Sequence, residues 1–343
     1  MENFLLNRWY QFGFSHELGD VPLARTIIDI PVVAFRASTG ISALLDRCPH
    51  RFAPLSTGTI EQDRIVCGYH GLAFDGSGRC ALNPHGRATT ALRVQSFPVE
   101  ERHGAIWIWM GDARQADTGL IPDLSFIDET PETARIHFTL AIRASYRLVT
   151  DNLLDLSHAD YLHPDSLGGV MTGVRPAVAE TDAGLAVEWE NRDVVPPPRF
   201  HERISASQRA NAWTRAEWQA PAVMVIKTAL TPADRGRSRE DEVWALHSMT
   251  PETAQSTHYF VCGTRRDRMD DAEYSTRLRA MLQRAFEHED KPMLEDQQRR
   301  IGTADLSSLR PMLLPIDAGA VLARRKLDRL IAQEQAADSA PSQ

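Results

Sequence analysis

Four residues carry the first recognisable chemistry in this chain. Cys48 and His50 stand either side of a proline, and Cys67 and His70 follow sixteen residues later with two residues between them. Each half offers one thiolate and one imidazole. A zinc finger groups its cysteines and its histidines as separate pairs. The mixed grouping suits a two-iron, two-sulfide cluster, with both cysteines on one iron and both histidines on the other. Imidazoles carry no formal charge, so such a cluster is reduced easily, at about −150 to +300 mV. A zinc site or four unrelated residues fit the spacing less well.

The segment 151–164 holds Asn152, Asp155, His158 and His163. Two histidines and a carboxylate, with positions left open, make a ferrous site able to take dioxygen. Asp155 and His158 are three apart and share a helix face. His158 and His163 are five apart, and a regular helix splays them by roughly 140°. Convergence requires a π-bulge or a break near Ala159. Spacing alone leaves a structural and a ligating role for the pair equally open. A third ligand has to come from elsewhere, and His288–Asp296 is rich in acids. Continuing the apolar stripe of Leu278, Met281, Leu282, Ala285 and Phe286 centres Glu289 and Asp296, with Asp290 near its edge. Pro292 interrupts that phase.

The elements around these groups fall into two sets. Up to about residue 112 the chain reads as short strands, among them Val32–Phe35, Arg64–Val66, Leu72–Phe74 and Ala105–Met110, with turn signals between them. Each ligand pair follows a strand, on a loop. After a polar connection containing Pro122 and Pro131, the pattern becomes longer. Strands are expected near 137–142, 185–189, 223–226, 243–247 and 258–261, and a helix over 146–158. A helix capped by Asp270 or Asp271 should run toward His288, and a tail helix from Ala318 to about Gln333. The fold class is therefore α+β: an all-β domain, 1–112, then an antiparallel sheet gripping a long helix, 113–343. Past Ala336 the chain is expected to fray.

Composition agrees with two globular domains: 343 residues, 43% hydrophobic and 24% charged. A net charge of −8 argues against a nucleic-acid or anionic-membrane surface. No signal-peptide pattern and no run of about 18 apolar residues is visible. Cys80 and Cys262 are the only other cysteines, which fits a reducing cytoplasm better than a disulfide framework. No Gly-x-Gly-x-x-Gly follows a strand, so no nicotinamide or flavin site is evident.

The cluster motif, with Arg51 and Gly71 at its flanks, resembles that of Rieske proteins. The run Asn152-x-x-Asp155-x-x-His158-x4-His163 resembles the mononuclear-iron motif of Rieske non-heme iron oxygenases, and the two occur in that family's order. The ending 316–325 is most similar to the vanillate O-demethylase and dicamba monooxygenase group. The resemblance implies a [2Fe–2S] cluster on Cys48, His50, Cys67 and His70. It also implies Fe(II) on His158, His163 and an aspartate, with Asp290 the best match and Asp296 or Glu289 behind it. Asn152 and Asp155 would be catalytic without being ligands. Asp155 would link His158 to a cluster histidine, matching His70, of a neighbouring subunit. Monooxygenation of a small aromatic is implied, by O-demethylation of a methoxy group or by ring or aryl-methyl hydroxylation. Electrons would come from NAD(P)H through a separate ferredoxin or flavin reductase, to a head-to-tail homotrimer. His247 matches a position that faces substrate. A substrate carboxylate would want a cation, with Arg199, Arg203 and Lys227 as candidates. A bare electron carrier would have no use for residues 113–343.

Overall fold

The structure, a computed structural model, describes residues 4–197 and 200–338. The chain divides into two compact units, Met1–Asp123 and Leu124–Gln343. Residues 113–123, expected to open the second domain, cluster with the first unit. Trp9 Nε1 donates to the Asp117 carbonyl at 2.8 Å.

Among its described residues the first unit is built from three small antiparallel sheets. One pairs Trp9–Phe14 and Val99–Arg102 with Ala105–Trp109. It buries Trp107 and Trp109, each contributing roughly 1.5–3 kcal/mol or more through apolar burial. The second sheet runs through Leu23–Ile27, Ile30–Ala37, Gly40–Leu45 and Ser96–Phe97. The third runs through Thr59–Glu61, Arg64–Val66, Ala73–Phe74 and Cys80–Leu82. One ligand loop leaves the second sheet after Leu45, and the other joins two strands of the third. Val33, Phe35, Leu44, Ile65 and Phe74 pack with Cys48 and Cys67 in one core cluster.

The second unit is organised on a seven-stranded antiparallel sheet. Its order is Arg135–Ile142, Ser256–Thr264, Glu242–Thr253, Val223–Pro232, Ala210–Gln219, Gly184–Val194 and Ala177–Glu180. Helices Tyr146–Leu154, Ala272–Ala285, Lys291–Ile301 and Ala318–Asp338 complete it. The strand Ala210–Gln219 was not expected. It alternates strictly in burial, but on its buried face Ala210, Ala212, Thr214 and Ala216 precede Trp218, too weak an apolar signal to read. The tail helix runs to Asp338, beyond the expected end at Gln333, and residues 339–343 lie outside the described residues. No described helix is long and apolar enough to cross a membrane.

Candidate metal centre

The two cluster loops repeat one backbone design. Cys48 N donates to Ala53 O at 2.8 Å and Phe52 N to Cys48 O at 2.9 Å; Cys67 N donates to Leu72 O at 2.8 Å and Gly71 N to Cys67 O at 2.9 Å. The fourth residue after each cysteine has a positive φ, +60° at Phe52 and +72° at Gly71, the left-handed turn that closes each loop. Both thiols are buried. Burial, and to a smaller degree contact with Cys67, raises the Cys48 thiol above its ordinary range, although backbone N–H groups of His50 and Arg51 oppose this. The imidazoles lie outward, with His50 and His70 ring centroids 4.5 Å apart. His70 is pushed below the usual histidine value, by desolvation first and then by His50, Arg51 and His85. Among the described residues these four do not gather round one point as a tetrahedral ion demands. A buried thiol pair and an outer imidazole pair fit a binuclear cluster.

The helix expected over 146–158 stops early. Ser145 caps it, its hydroxyl accepting from Arg147 N at 3.4 Å, and it ends at Leu154. Asp155 leaves helical geometry (φ −126°, ψ 87°), and a tighter turn, Leu156–His158, leads into Ala159–Leu162. The Asp155 carboxylate accepts from Ser157 N at 3.0 Å and Ser157 Oγ at 2.6 Å, which competes with helix continuation. The break therefore sits four residues before Ala159. It brings the His158 and His163 rings to 5.5 Å.

The third element supplies the wide turn instead. Phe286–Asp290 is a π-helical turn between Ala272–Ala285, capped by Asp271 (accepting from Tyr274 N at 2.8 Å), and Lys291–Ile301. Pro292 has no N–H for the His288 carbonyl four residues back, so the ladder loosens there. The wide turn carries Asp290 off the edge of the apolar stripe and into the interior, where it is 4% exposed.

Among the described residues, His158, His163 and Asp290 are the one group of three whose ligand atoms all lie within 4.8 Å. Asp290 Oδ1 is 3.4 Å from His158 Nε2, and Oδ2 is 3.1 Å from His163 Nε2. The opposite ring edges are held by acceptors. His158 Nδ1 meets the Asp155 carbonyl at 2.5 Å, and His163 Nδ1 meets Glu289 Oε2 at 2.5 Å. A carbonyl or carboxylate accepts, so each Nδ1 carries the hydrogen, which leaves each Nε2, turned toward Asp290, to take either a proton or a metal ion. Burial alone would raise Asp290, yet its contacts with His158 and His163 prevail and hold it down to about 2. His163, lowered by burial, is raised on balance by Asp290 and Glu289. The donor set fits a mononuclear ferrous ion.

The remaining expected residues fall as follows. Asn152 Nδ2 lies 3.2 Å from Asp290 Oδ1 and 3.4 Å from His158 Nε2, beside the triad. Asp155 touches His158 through its carbonyl, whereas the expected link used its carboxylate. That group is half-buried, caps Ser157 and lines a second cavity together with Asn152 and His158. Glu289 orients His163, and Asp296 is an exposed partner of Arg299. His247 is 4% exposed, with Nδ1 2.6 Å from the Tyr259 hydroxyl. Burial lowers it to about 3. Lys227 pairs with Glu217 at 2.7 Å and lies 4.2 Å from the Trp244 ring centre. Arg199 lies outside the described residues.

Two further features escaped the sequence reading. Arg324 of the tail helix clamps Asp151, next to Asn152, through both carboxylate oxygens. Burial still raises Asp151 above the usual carboxylate value. The Asp160 carboxylate gathers four backbone N–H groups, Gly169, Val170, Met171 and Thr172, at 2.6–3.1 Å. Distance in the chain hid the first and backbone partners hid the second; their charged residues are of ordinary surface types.

A cluster-binding β unit followed by a sheet whose attached helical segments carry two histidines and one carboxylate defines the oxygenase component of a Rieske-type monooxygenase. Comparison places it further. Residues 8–98 match the Rieske [2Fe-2S] domain, and residues 142–333 match the vanillate O-demethylase oxygenase C-terminal domain. The chain belongs to that family. It is 35% identical to the oxygenase component of dicamba O-demethylase from Stenotrophomonas maltophilia over 95% of this chain and 98% of that protein. It is 33% identical to a vanillate O-demethylase oxygenase subunit from Pseudomonas sp. (strain HR199 / DSM 7063) over 98% of each. The crystal structure of dicamba monooxygenase bound to 3,6-dichlorosalicylic acid superposes with a TM-score of 0.90 at 34% identity, covering 97% of this chain and 99% of that one. Proteins of this class hold a [2Fe–2S] cluster and a non-heme iron, use dioxygen and draw electrons from a separate protein.

Proposed function

We propose that the chain removes the methyl group of a methoxylated aromatic, as the oxygenase component of a system fed by NAD(P)H through its reductase. One observation carries the reading: a cavity of about 190 Å³ whose walls include His158, His163 and Asp290 and are otherwise mostly apolar. A dry cavity of about 150 Å³ holds benzene, so this one takes a single substituted ring. The printed activities of two relatives, O-demethylation of dicamba and of vanillate, support a methoxy group as the point of attack. The overall change balances as ArOCH3 + O2 + 2 e⁻ + 2 H⁺ giving ArOH, CH2O and H2O. Oxygenation of the methyl C–H gives a hemiacetal, which breaks its C–O bond to release phenol and formaldehyde.

When bound, the ferrous ion supplies dioxygen activation and the cluster supplies stored electrons. Glu289 and the Asp155 carbonyl hold the two imidazoles with Nε2 inward, and Asn152 steadies Asp290 by hydrogen bonding. Ile226, Val261 and Phe286 line the wall and exclude water. His247 faces the same cavity as a neutral imidazole, and Tyr259, raised well above its ordinary value by burial and by Asp290, stays a hydroxyl. His247, held through Nδ1 by the Tyr259 hydroxyl, is suited to hydrogen-bond a substrate rather than to exchange protons. A head-to-tail trimer completes the reading, with Asp155 of one subunit meeting His70 of the next; its support is the half-buried carboxylate beside His158 on the second cavity.

Iron-loaded protein, reductase, NADH and a panel of methoxybenzoates test the proposal. Formaldehyde and phenol should appear in equal amounts, and none across the panel would refute it. The likeness to a putative toluene-4-sulfonate monooxygenase subunit of Comamonas testosteroni, 34% identical over 96% of this chain, favours aryl-methyl hydroxylation as the second reading. That reaction yields a benzylic alcohol and no formaldehyde.

A further inference from the structure

The helix Tyr146–Leu154 brings Asn152 beside the metal triad, yet it is nine residues long and loses helical geometry at Asp155. A helix that short takes its placement from its neighbours. On one side Asn152 Nδ2 donates to Asp290 Oδ1 at 3.2 Å. On the other, the preceding residue, Asp151, is gripped by Arg324 of the tail helix. Arg324 Nε donates to both carboxylate oxygens, at 2.9 and 2.8 Å, and its Nη2 donates to Oδ2. Such a planar fit fixes direction as well as distance. The two side chains are 16% and 21% exposed, so salt screens the pair only weakly. The tail helix is itself a firm mount. Ala320, Ala323, Leu327 and Ile331 are buried, and at Gly319 a Cβ would come within 2.6 Å of a Val187 methyl carbon. Lys326 Nζ donates to the Thr181 and Gly184 carbonyls at 2.6 and 2.9 Å. One turn along, a second pair joins the same two helices, Arg147 with Asp328 at 2.6 Å.

We infer that Arg324 is a positioning residue of the mononuclear site: through Asp151 it sets the place of Asn152, and so the hydrogen bond that steadies the Asp290 carboxylate. The inference rests on the reading of His158, His163 and Asp290 as the iron ligands and deepens it. The two ion pairs differ in what they can pass on. Arg147–Asp328 only ties one helix to the other. Asp151 is joined to Asn152 by a peptide bond in the last turn of its helix, so a shift of its carboxylate moves the amide that meets Asp290.

Ferrous titration of the full chain, cluster in place and mononuclear site emptied, tests this together with the electron paramagnetic resonance of the nitric oxide adduct, whose shape follows the arrangement of the iron's ligands. R324Q should bind iron about 10-fold less tightly, the lower end of what losing an orienting partner costs, and should alter the signal. D328N should change neither. N152A should alter the signal in the same way, and R324Q/N152A should add nothing to N152A, as a shared route demands. R324K, which keeps the cation but not the fork, should fall between the native chain and R324Q, and it replaces R324Q in the cycle if that variant does not fold. Native affinity and signal in R324Q, an equal change in D328N, or additive effects in the double variant overturn the inference. A native chain that takes up no third iron would refute the ligand triad and the inference together, and the first titration shows which has failed.

Discussion

At the metal centre, each imidazole's free nitrogen is decided by what faces the other one. His163 depends on a carboxylate for this, since Glu289 Oε2 lies 2.5 Å from Nδ1; His158 uses a main-chain carbonyl that no substitution removes. Loss of such an orienting partner commonly weakens metal binding 10- to 100-fold. Glu289→Ala should therefore bind mononuclear iron less tightly by about that factor and keep the cluster's visible absorption, as measured by iron titration of the metal-free mononuclear site. Unchanged affinity would mean that Glu289 is only a neighbour. His247 makes the second case. Burial lowers it from 6.5 to about 3 in the folded protein, so between these values the unfolded chain binds a proton that the native chain refuses. Stability from this group is fully present above about pH 6.5 and is lost as pH falls toward 3. One proton is worth about 1.4 kcal/mol per pH unit. Denaturant unfolding of the metal-free protein at pH 7 and pH 5 should show the native chain losing about 2 kcal/mol more than His247→Gln; equal losses would place a charged imidazole in the native state.

Helices and loops explain why part of this site was legible in the sequence and part was not. The cluster loops were readable because ligand spacing and the strands on either side both act within a few residues. The convergence of His158 with His163 required a break, and the five-residue interval demanded one; its place was set by Asp155 capping Ser157, an option the spacing did not reveal. Asp290 was selected by resemblance, since the apolar stripe favoured its neighbours, and only the π-turn before Pro292 shows why the stripe misleads. The Asp160 staple was invisible because its four partners are backbone groups of residues 169–172. That staple ties the loop carrying Leu167 and Met171, both cavity walls, to the histidine-bearing segment. Gly168 fits beneath it because a Cβ there would lie 2.4 Å from the Ala159 carbonyl. Asp160→Ala leaves four N–H groups without their acceptor, at about 1–3 kcal/mol for each one left buried. The loop should loosen and substrate KM should rise about 10-fold, while mononuclear iron content stays full. Steady-state kinetics beside an iron assay separates the two: an unchanged KM removes the loop from the cavity wall, and lost iron makes Asp160 part of the metal site.

For the molecule as a whole, stored electrons in the first unit have to reach the oxygen-binding site of the second. The half-buried Asp155 carboxylate lines the second cavity together with His158, and the proposed path enters there. Its local duty and its proposed one can be separated by a single change. Asp155→Asn keeps an oxygen to accept from Ser157 N and Oγ, so the turn that brings His158 toward His163 should survive, and the His158 Nδ1 contact uses a carbonyl that the change does not touch. What disappears is the charge, and with it the proposed charge-assisted hydrogen bond to a protonated imidazole of an adjoining cluster. Asp155→Asn should therefore contain about three irons per chain and form the same oligomer in sedimentation as the native protein. Its cluster should still be reduced by the reductase, yet formaldehyde release should slow about 100-fold. In a stopped-flow record the cluster should become reduced and then fail to reoxidise when oxygen and substrate arrive. Native reoxidation by Asp155→Asn, with all metals present, would remove the carboxylate from the electron path and leave it a helix-breaking cap.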